Sequence, residues 1–191
     1  MDKRIIRLIR LIYISFCIAL GIISPLFCYI LLPEFNITEH PLSYFGVVEK
    51  TNLFWQISLI LISIGLYLNG SKCIDELIRI KNYRIPIRCI LFFSCICLLL
   101  TSLFTLRYNY WHHLFAISFF LTYNFFVFIF GVARSLTYVR RGLFSVIVGC
   151  LMLLSSLLLI PFPSYGVTEI TFISLVVIWN TTLLVKSLKL I

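Results

Sequence analysis

Six long apolar segments alternate with short polar ones along the chain. Each apolar segment is about 20 residues long, the length that an α-helix needs to cross the hydrocarbon core of a bilayer. Membrane-spanning β-strands would be roughly 10 residues long, with every second side chain polar. The pattern therefore predicts an all-α integral membrane protein, a six-transmembrane-helix bundle that forms one domain. The expected spans are about 8–32, 52–68, 87–106, 112–132, 142–160 and 167–185 within the single domain 1–191.

The polar segments between the spans predict the loops. Pro33-Glu34 ends the first span, and residues 33–50 form the longest loop. The first span follows four basic residues as a signal peptide would, but its apolar run is too long and no cleavage site of small residues follows, so we expect an uncleaved helix. Asn69-Gly70 is expected to end the second span, and residues 75–83 are expected to form a short interfacial helix in the basic loop that follows.

The basic residues fall on alternate sides of these spans. Cytoplasmic loops of membrane proteins carry an excess of Lys and Arg. Fourteen cations lie at one side, against Lys50 and Arg107 at the other. The fourteen are Lys3, Arg4, Arg7, Arg10, Lys72, Arg79, Lys81, Arg84, Arg88, Arg134, Arg140, Arg141, Lys186 and Lys189. The distribution predicts that both termini are cytoplasmic, and we expect the protein in a bacterial plasma membrane.

Composition supports a membrane protein and narrows the possible functions. Of the 191 residues, 61% are hydrophobic and 12% are charged, whereas soluble domains are roughly 45–50% apolar and about 25% charged. The net charge of +9 is explained by topology, so we predict no nucleic-acid partner. None of the seven cysteines lies in an expected outer loop, which argues against disulfides. No nucleotide or cofactor motif is present, and no cofactor is expected.

Polar residues at the outer ends of the spans are the first candidates for a functional site, because polar groups in a membrane bundle are costly. Glu49, Asn52, Gln56 and Ser63 lie on one stripe of the second span. That stripe is expected to face the bundle, where interhelical hydrogen bonding is the structural alternative to function.

Further polar groups gather at the start of the fourth and sixth spans. His113 and Asn124 share a face of the fourth span, and Glu169 begins the sixth. Neighbouring His112 and His113 diverge by about 100° on a helix, and no pair of histidines has the spacing of a helical metal site. We therefore predict no metal. The structural alternative to a functional site is that these histidines and carboxylates lie at the hydrated headgroup level, where a polar side chain costs little free energy.

Three classes of function remain open from these residues. In the first, an outward-facing polar cavity binds or moves a lipid, or regulates a membrane partner, with Lys50 or Arg107 on a lipid phosphate and phenylalanines around the acyl chains. The second is an oligomeric pore or membrane-perturbing effector, for example an accessory subunit of a bacterial defence system. The third is a membrane enzyme in which His113 acts with Glu49 or Glu169.

Three stretches resemble a known membrane family. They are HPLSYFGVVEKTNLFWQ (40–56), HHLFAISFF (112–120) and YGVTEITFISLVVIW (165–179). They resemble the six-helix family of the damage-regulated autophagy modulators, of relatives in GPI-anchor lipid remodelling and phospholipid asymmetry, and of bacterial members of unknown function. The resemblance implies lipid-related work. It marks the residues Ser43, Gly46, Glu49, Asn52, His113 and Glu169. Ile170 departs from the family, which often has a basic residue there.

Overall fold

A computed structural model describes residues 3–188, which form helices and loops and no strand in that range. Six α-helices account for most of them. They are α1 Lys3–Leu31, α2 Asn52–Leu77, α3 Lys81–Leu103, α4 Asn109–Ser135, α5 Val139–Leu154 and α6 Gly166–Leu188. Short 3₁₀ helices at Leu42–Gly46, Leu106–Tyr108 and Ser155–Leu159 lie in the connections. The prediction of an all-helical chain is confirmed for the described residues.

Each of the six helices is long and apolar enough to cross a membrane. The apolar stretches of α1 and α6 are Leu8–Leu31 and Gly166–Lys186, and the others cover nearly the whole of α2 to α5. Large apolar side chains lie exposed along the outer faces, as Ile22 on α1, Phe92 on α3 and Ile147 on α5 show. Such a surface suits lipid rather than water, and indicates an integral membrane protein.

The second helix departs from the sequence prediction. It continues through Asn69 and Gly70 to Leu77, and residues 75–83 do not form a helix of their own, because α2 ends and α3 begins within them. Packing explains the continuation. Asn69 is buried and hydrogen-bonded inside the bundle, and Gly70 lies directly against Leu91 of α3. Tertiary contacts thus outweigh the low helix propensity of an Asn-Gly pair.

Sequential helices pack against one another, and α6 packs against α1, α2 and α5. One end of the bundle, here called the loop end, carries segments 32–51, 104–108 and 155–165. Contacts join them, since Ser164 Oγ donates to the carbonyl of Ile37 at 3.1 Å and Arg107 donates to that of Val47 at 3.4 Å. The opposite end, here called the terminal end, carries segments 78–80 and 136–138, where Arg79 lies over the Tyr138 ring.

A polar network lies at the centre of the apolar bundle. Asn69 Nδ2 of α2 donates to Asn180 Oδ1 of α6 at 2.8 Å. Asn180 Nδ2 in turn donates to the Tyr123 hydroxyl of α4 at 2.8 Å. Trp179 packs beside this network and donates to Ser145 of α5 at 3.0 Å. Because lipid offers no alternative partners, these bonds fix which faces of four helices meet.

We expect the substitution Asn69→Ala to destabilise the bundle by about 1 kcal/mol, because it removes the donor to the buried Asn180 oxygen. Unfolding of the detergent-solubilised protein by heat or by sodium dodecyl sulfate measures the change. Asn82→Ala is the matched control, since Asn82 is exposed at the start of α3. Equal stability of the two variants would contradict a structural role for the network.

Close packing of α4 on α5 depends on Gly131. A Cβ at this position would lie 2.6 Å from the backbone nitrogen of Val146 and 3.0 Å from the carbonyl carbon of Ser145. Those atoms belong to the α5 backbone and cannot turn aside as a side chain can. Small residues at helix contacts allow this approach in membrane bundles.

We therefore expect Gly131→Ala to destabilise the protein by about 1–3 kcal/mol through overpacking, despite the higher helix propensity of alanine. The same denaturation assay measures it. Gly21→Ala serves as the control, because its Cβ would meet only the side-chain methyl Cγ2 of Val177 at 3.2 Å. A Gly131→Ala variant as stable as the control would show that α4 and α5 are not in tight contact.

Candidate functional site

Three neighbouring cavities include residues of the loop end in their lining. The first, the mouth cavity, has a volume of about 180 Å³ and lies between α4, α6 and segments 32–51 and 155–165. The second, the central cavity, has a volume of about 100 Å³ and is enclosed by α1, α2, α3, α4 and α6. The third, the lateral groove, has a volume of about 890 Å³ and runs between α1, α6 and segment 32–51.

The cavities share walls and so form one path. The mouth and central cavities have five lining residues in common, namely Ser43, His112, Ala116, Phe120 and Glu169. The central cavity and the lateral groove also have five in common, namely Gly21, Pro25, Leu42, Ile173 and Val177. Polar side chains such as Ser43, His113 and Glu169 line the mouth, whereas the groove is lined mainly by apolar side chains and has Glu34 and Asn36 beside segment 32–51. The path therefore runs from polar side chains at the mouth to apolar side chains of α1 and α6 on the flank of the bundle.

Glu169 holds the mouth together. It lies in the first turn of α6, and its carboxylate accepts hydrogen bonds from the backbone N–H groups of Leu42, at 2.5 Å, and of Ser43. These are the first N–H groups of the 3₁₀ helix Leu42–Gly46, which has no side-chain cap of its own. Glu169 thus caps that helix from a distance in sequence. Two charge-assisted bonds also repay part of the cost of removing the carboxylate from water.

Segment 32–51 also packs directly on the start of α6. A Cβ on Gly166 would collide with the backbone carbonyl oxygens of Ile37 and His40. Just before it, Tyr165 has a φ of 68°, a left-handed conformation uncommon for a bulky residue. The Tyr165 carbonyl accepts the N–H of Glu169 at 2.8 Å. The turn at Tyr165 therefore orients α6 so that Glu169 reaches the loop.

The two adjacent histidines have different roles. His112 is buried, and its Nδ1 lies 2.7 Å from the carbonyl oxygen of Phe104. A carbonyl only accepts, so Nδ1 carries the proton and the bond ties α4 to the end of α3. His113 is half-buried and lines the mouth cavity, where its ring lies 6.3 Å from that of Tyr165 between centroids. Of the two, His113 is the side chain available to a ligand.

The structure brings four predicted site residues together, since Ser43, His112, His113 and Glu169 all line the mouth cavity. The other six line none of the three cavities. Glu49, Lys50 and Arg107 are exposed at the rim. Gln56 donates to the carbonyl of Gly46 at 3.5 Å, Asn52 accepts the N–H of Leu53 at 2.5 Å, and Asn124 lies further along α4. Lys50 and Arg107, expected to hold a lipid phosphate, therefore lie outside the lining of the three cavities.

Sequence reasoning missed the groove and the residues that connect it to the mouth. Ala116 is small and lies where the mouth and central cavities meet. Gly21 and Pro25, one turn apart on α1, border both the central cavity and the groove. Residues at i and i+4 lie on the same face of a helix. A glycine and a proline at this spacing leave little side-chain volume on that face, and this was the signal in the sequence for a cavity beside α1.

No three His, Cys, Asp or Glu side chains come close enough to hold a metal ion in the part of the chain that the structure describes. Comparison with protein-family models, with curated proteins and with solved structures gives no match for this chain. The family resemblance of the three stretches therefore stays a prediction, and function has to be argued from the geometry.

We expect Glu169→Ala to loosen segment 32–51, because it leaves two N–H groups without their acceptor, at a cost of about 1–3 kcal/mol. Limited trypsin digestion after Lys50, which is exposed, reports the loosening as faster cleavage. Glu169→Gln retains an acceptor oxygen and should be intermediate. Glu34→Ala is the control, since Glu34 is an exposed acid of the same segment. Cleavage of Glu169→Ala at the wild-type rate would refute the capping role.

Proposed function

We propose that this protein binds a membrane lipid, with an acyl chain in the lateral groove and the headgroup at the mouth cavity. The single observation that carries the proposal is the shared lining, which joins an apolar groove on the flank of the bundle to a polar chamber at its end. A lipid has the same division between an apolar chain and a polar head. Moving that lipid, or presenting it to a membrane partner, would use the same site.

The groove has the size and chemistry for a chain. Its volume of about 890 Å³ lies within the range of about 300–1,000 Å³ that small-molecule pockets have. Side chains such as Ile22, Leu26 and Ile178 line it and are exposed on the flank of the bundle. A chain can therefore enter sideways from the bilayer without crossing a polar surface. Moving the chain from the bilayer into the groove changes its free energy little, because both surroundings are apolar. Selectivity must therefore come from the headgroup.

The mouth favours a headgroup that donates hydrogen bonds. No Lys or Arg is among the described residues that line any of the three cavities, whereas Glu169 and Ser43 line two of them. A carboxylate attracts an amine or hydroxyl group and repels a bare anion. We therefore assign the mouth to an amine- or hydroxyl-bearing headgroup, in place of the anionic headgroup that Lys50 and Arg107 would have favoured.

The direction of the site follows from the charges. Most cations of the chain belong to the terminal end, and the positive-inside rule would place that end in the cytoplasm. With both termini cytoplasmic, the mouth cavity faces the outer leaflet. The bound lipid is then an outer-leaflet lipid with its headgroup beside His113 and Glu169.

We expect Ala116→Phe to reduce co-purified lipid at least about tenfold, because the new ring fills the point where the mouth and central cavities meet. Native mass spectrometry in mild detergent, followed by extraction and identification of retained lipid, measures it. The matched control is Ala19→Phe on α1, since Ala19 is also half-buried and lines none of the three cavities.

A defined lipid retained by wild type and by Ala19→Phe, and lost from Ala116→Phe, supports the proposal. Retention of no defined lipid by wild type, or equal retention by both variants, contradicts it. A closed ring of subunits in the same spectrum would favour a pore instead.

A further inference from the structure

The terminal end concentrates cations from five helices. Arg10 of α1, Lys72 of α2, Arg134 of α4, Arg141 of α5 and Lys186 of α6 occupy this end. They are called here the basic cluster. Arg10, Lys72 and Arg134 all lie within electrostatic range of Cys73, and Arg141 and Lys186 lie within range of Arg134. The five cations therefore lie close enough to influence one another electrostatically, and Glu76 acts on the same Cys73.

Arg134 is a buried member of the cluster with a donor that no described residue accepts. Its side chain is 7% exposed, and its buried Nη1 donates to no acceptor among residues 3–188. Burying a charged donor without an acceptor is costly. Arg141 and Lys186 increase that cost by like-charge repulsion. A negative group beside the guanidinium would offset part of that cost.

Other charged residues of the terminal end contact a carbonyl, an aromatic ring or an ion-pair partner. Arg10 donates through Nη2 to the carbonyl of Leu68 at 2.7 Å, while its buried Nε has no acceptor among the described residues. Lys186 lies 4.9 Å from the centre of the Phe144 ring. Of the two acids on this stretch of α2, Asp75 pairs with Arg88. Glu76 is exposed and lies within electrostatic range of Cys73, as Lys72 and Arg10 do. The Nη1 of Arg134 donates to neither acid.

Membrane topology alone does not require this arrangement. The positive-inside rule depends on the presence of cations near the ends of the spans, and an exposed residue such as Arg140 satisfies it fully. Burying Arg134 in the bundle adds a desolvation cost without any topological benefit. A binding role explains both the burial and the unused donor.

We propose that the basic cluster binds a phosphate group, with the guanidinium of Arg134 as its main ligand and Lys186 and Arg141 as the surrounding charge. Phosphate suits the planar fork of arginine, which donates two parallel hydrogen bonds. The group belongs either to an anionic lipid of the adjacent leaflet, as basic pockets between membrane helices bind, or to free phosphate. This site is separate from the mouth cavity and does not depend on the proposed function.

The test uses the full-length protein in neutral detergent with two probes, phosphatidylglycerol added in mixed micelles and inorganic phosphate. Native mass spectrometry counts retained phosphatidylglycerol against phosphatidylcholine, and thermal unfolding measures stabilisation by phosphate against chloride at equal ionic strength. Arg134→Gln should lower the retention of the anionic probe about ten- to a hundredfold, as expected for loss of a charge-assisted bond. Arg134→Lys should recover part of it, and Arg140→Gln, the exposed control, should behave as wild type.

Selective retention of phosphatidylglycerol without an effect of phosphate identifies a lipid headgroup as the ligand, and stabilisation by phosphate identifies the free anion. If Arg134→Gln does not fold, wild-type selectivity for the two probes decides alone. Absence of both effects in wild type, or equal losses in Arg134→Gln and Arg140→Gln, overturns the proposal. Neither result bears on lipid at the mouth cavity, which the Ala116→Phe variant reports.

Discussion

The arrangement of the loop end depends on the contact between the Glu169 carboxylate and the backbone of segment 32–51. A carboxylate at the edge of a membrane bundle must find donors, and here it finds the first N–H groups of a 3₁₀ helix. The contact holds segment 32–51 over the ends of α4 and α6. It also places Ser43 beside His112 and leaves the apolar side of the loop, with Phe45, packed on Trp55. Without it the mouth cavity would lose the wall that Ser43 lines, and the groove the part of its wall that Leu42 lines.

Each end of the bundle has a charged side chain removed from water, of opposite sign at the two ends, and the hydrogen bonding of the two side chains differs. At the loop end the Glu169 carboxylate is held by backbone donors, and the chamber beside it is lined by polar side chains such as Ser43 and His113 that can meet a hydrogen-bonding headgroup. At the terminal end several cations converge, and Arg134 is buried without an internal acceptor for its Nη1. The first arrangement forms part of a cavity wall. The second leaves a buried cation that an external anion would stabilise. Between the ends, Asn69, Asn180 and Tyr123 lock the helices together, so the two sites are held on one scaffold.

The sequence predicts the helices well because membrane burial acts on each span locally. Apolar length alone identifies six helices. It fails at Asn69-Gly70, where the chain looks like a helix end and the buried bond to Asn180 keeps the helix intact. The site could be predicted in part. His112, His113 and Glu169 come together because they begin spans at the same end, which alternation along the chain dictates. Lys50 and Arg107 do not join them, because the direction of a loop side chain is set by contacts such as that of Arg107 with Val47. The lateral groove depends on how far α1 stands from α6, and periodicity within one helix carries no information about that distance.

The central claim is that a lipid occupies the path from groove to mouth. Photo-crosslinking tests it most directly: the protein is reconstituted with a phospholipid that carries a diazirine in its acyl chain, purified in mild detergent to remove bulk lipid, and illuminated. Peptide mass spectrometry then locates the adducts. We expect adducts concentrated on the side chains of α1 and α6 that line the groove, namely Gly21, Ile22, Pro25 and Leu26 of α1 and Ile173, Ser174, Val177 and Ile178 of α6. Adducts spread evenly over exposed apolar side chains such as Phe92 of α3 and Ile147 of α5, with no excess in the groove, would contradict it.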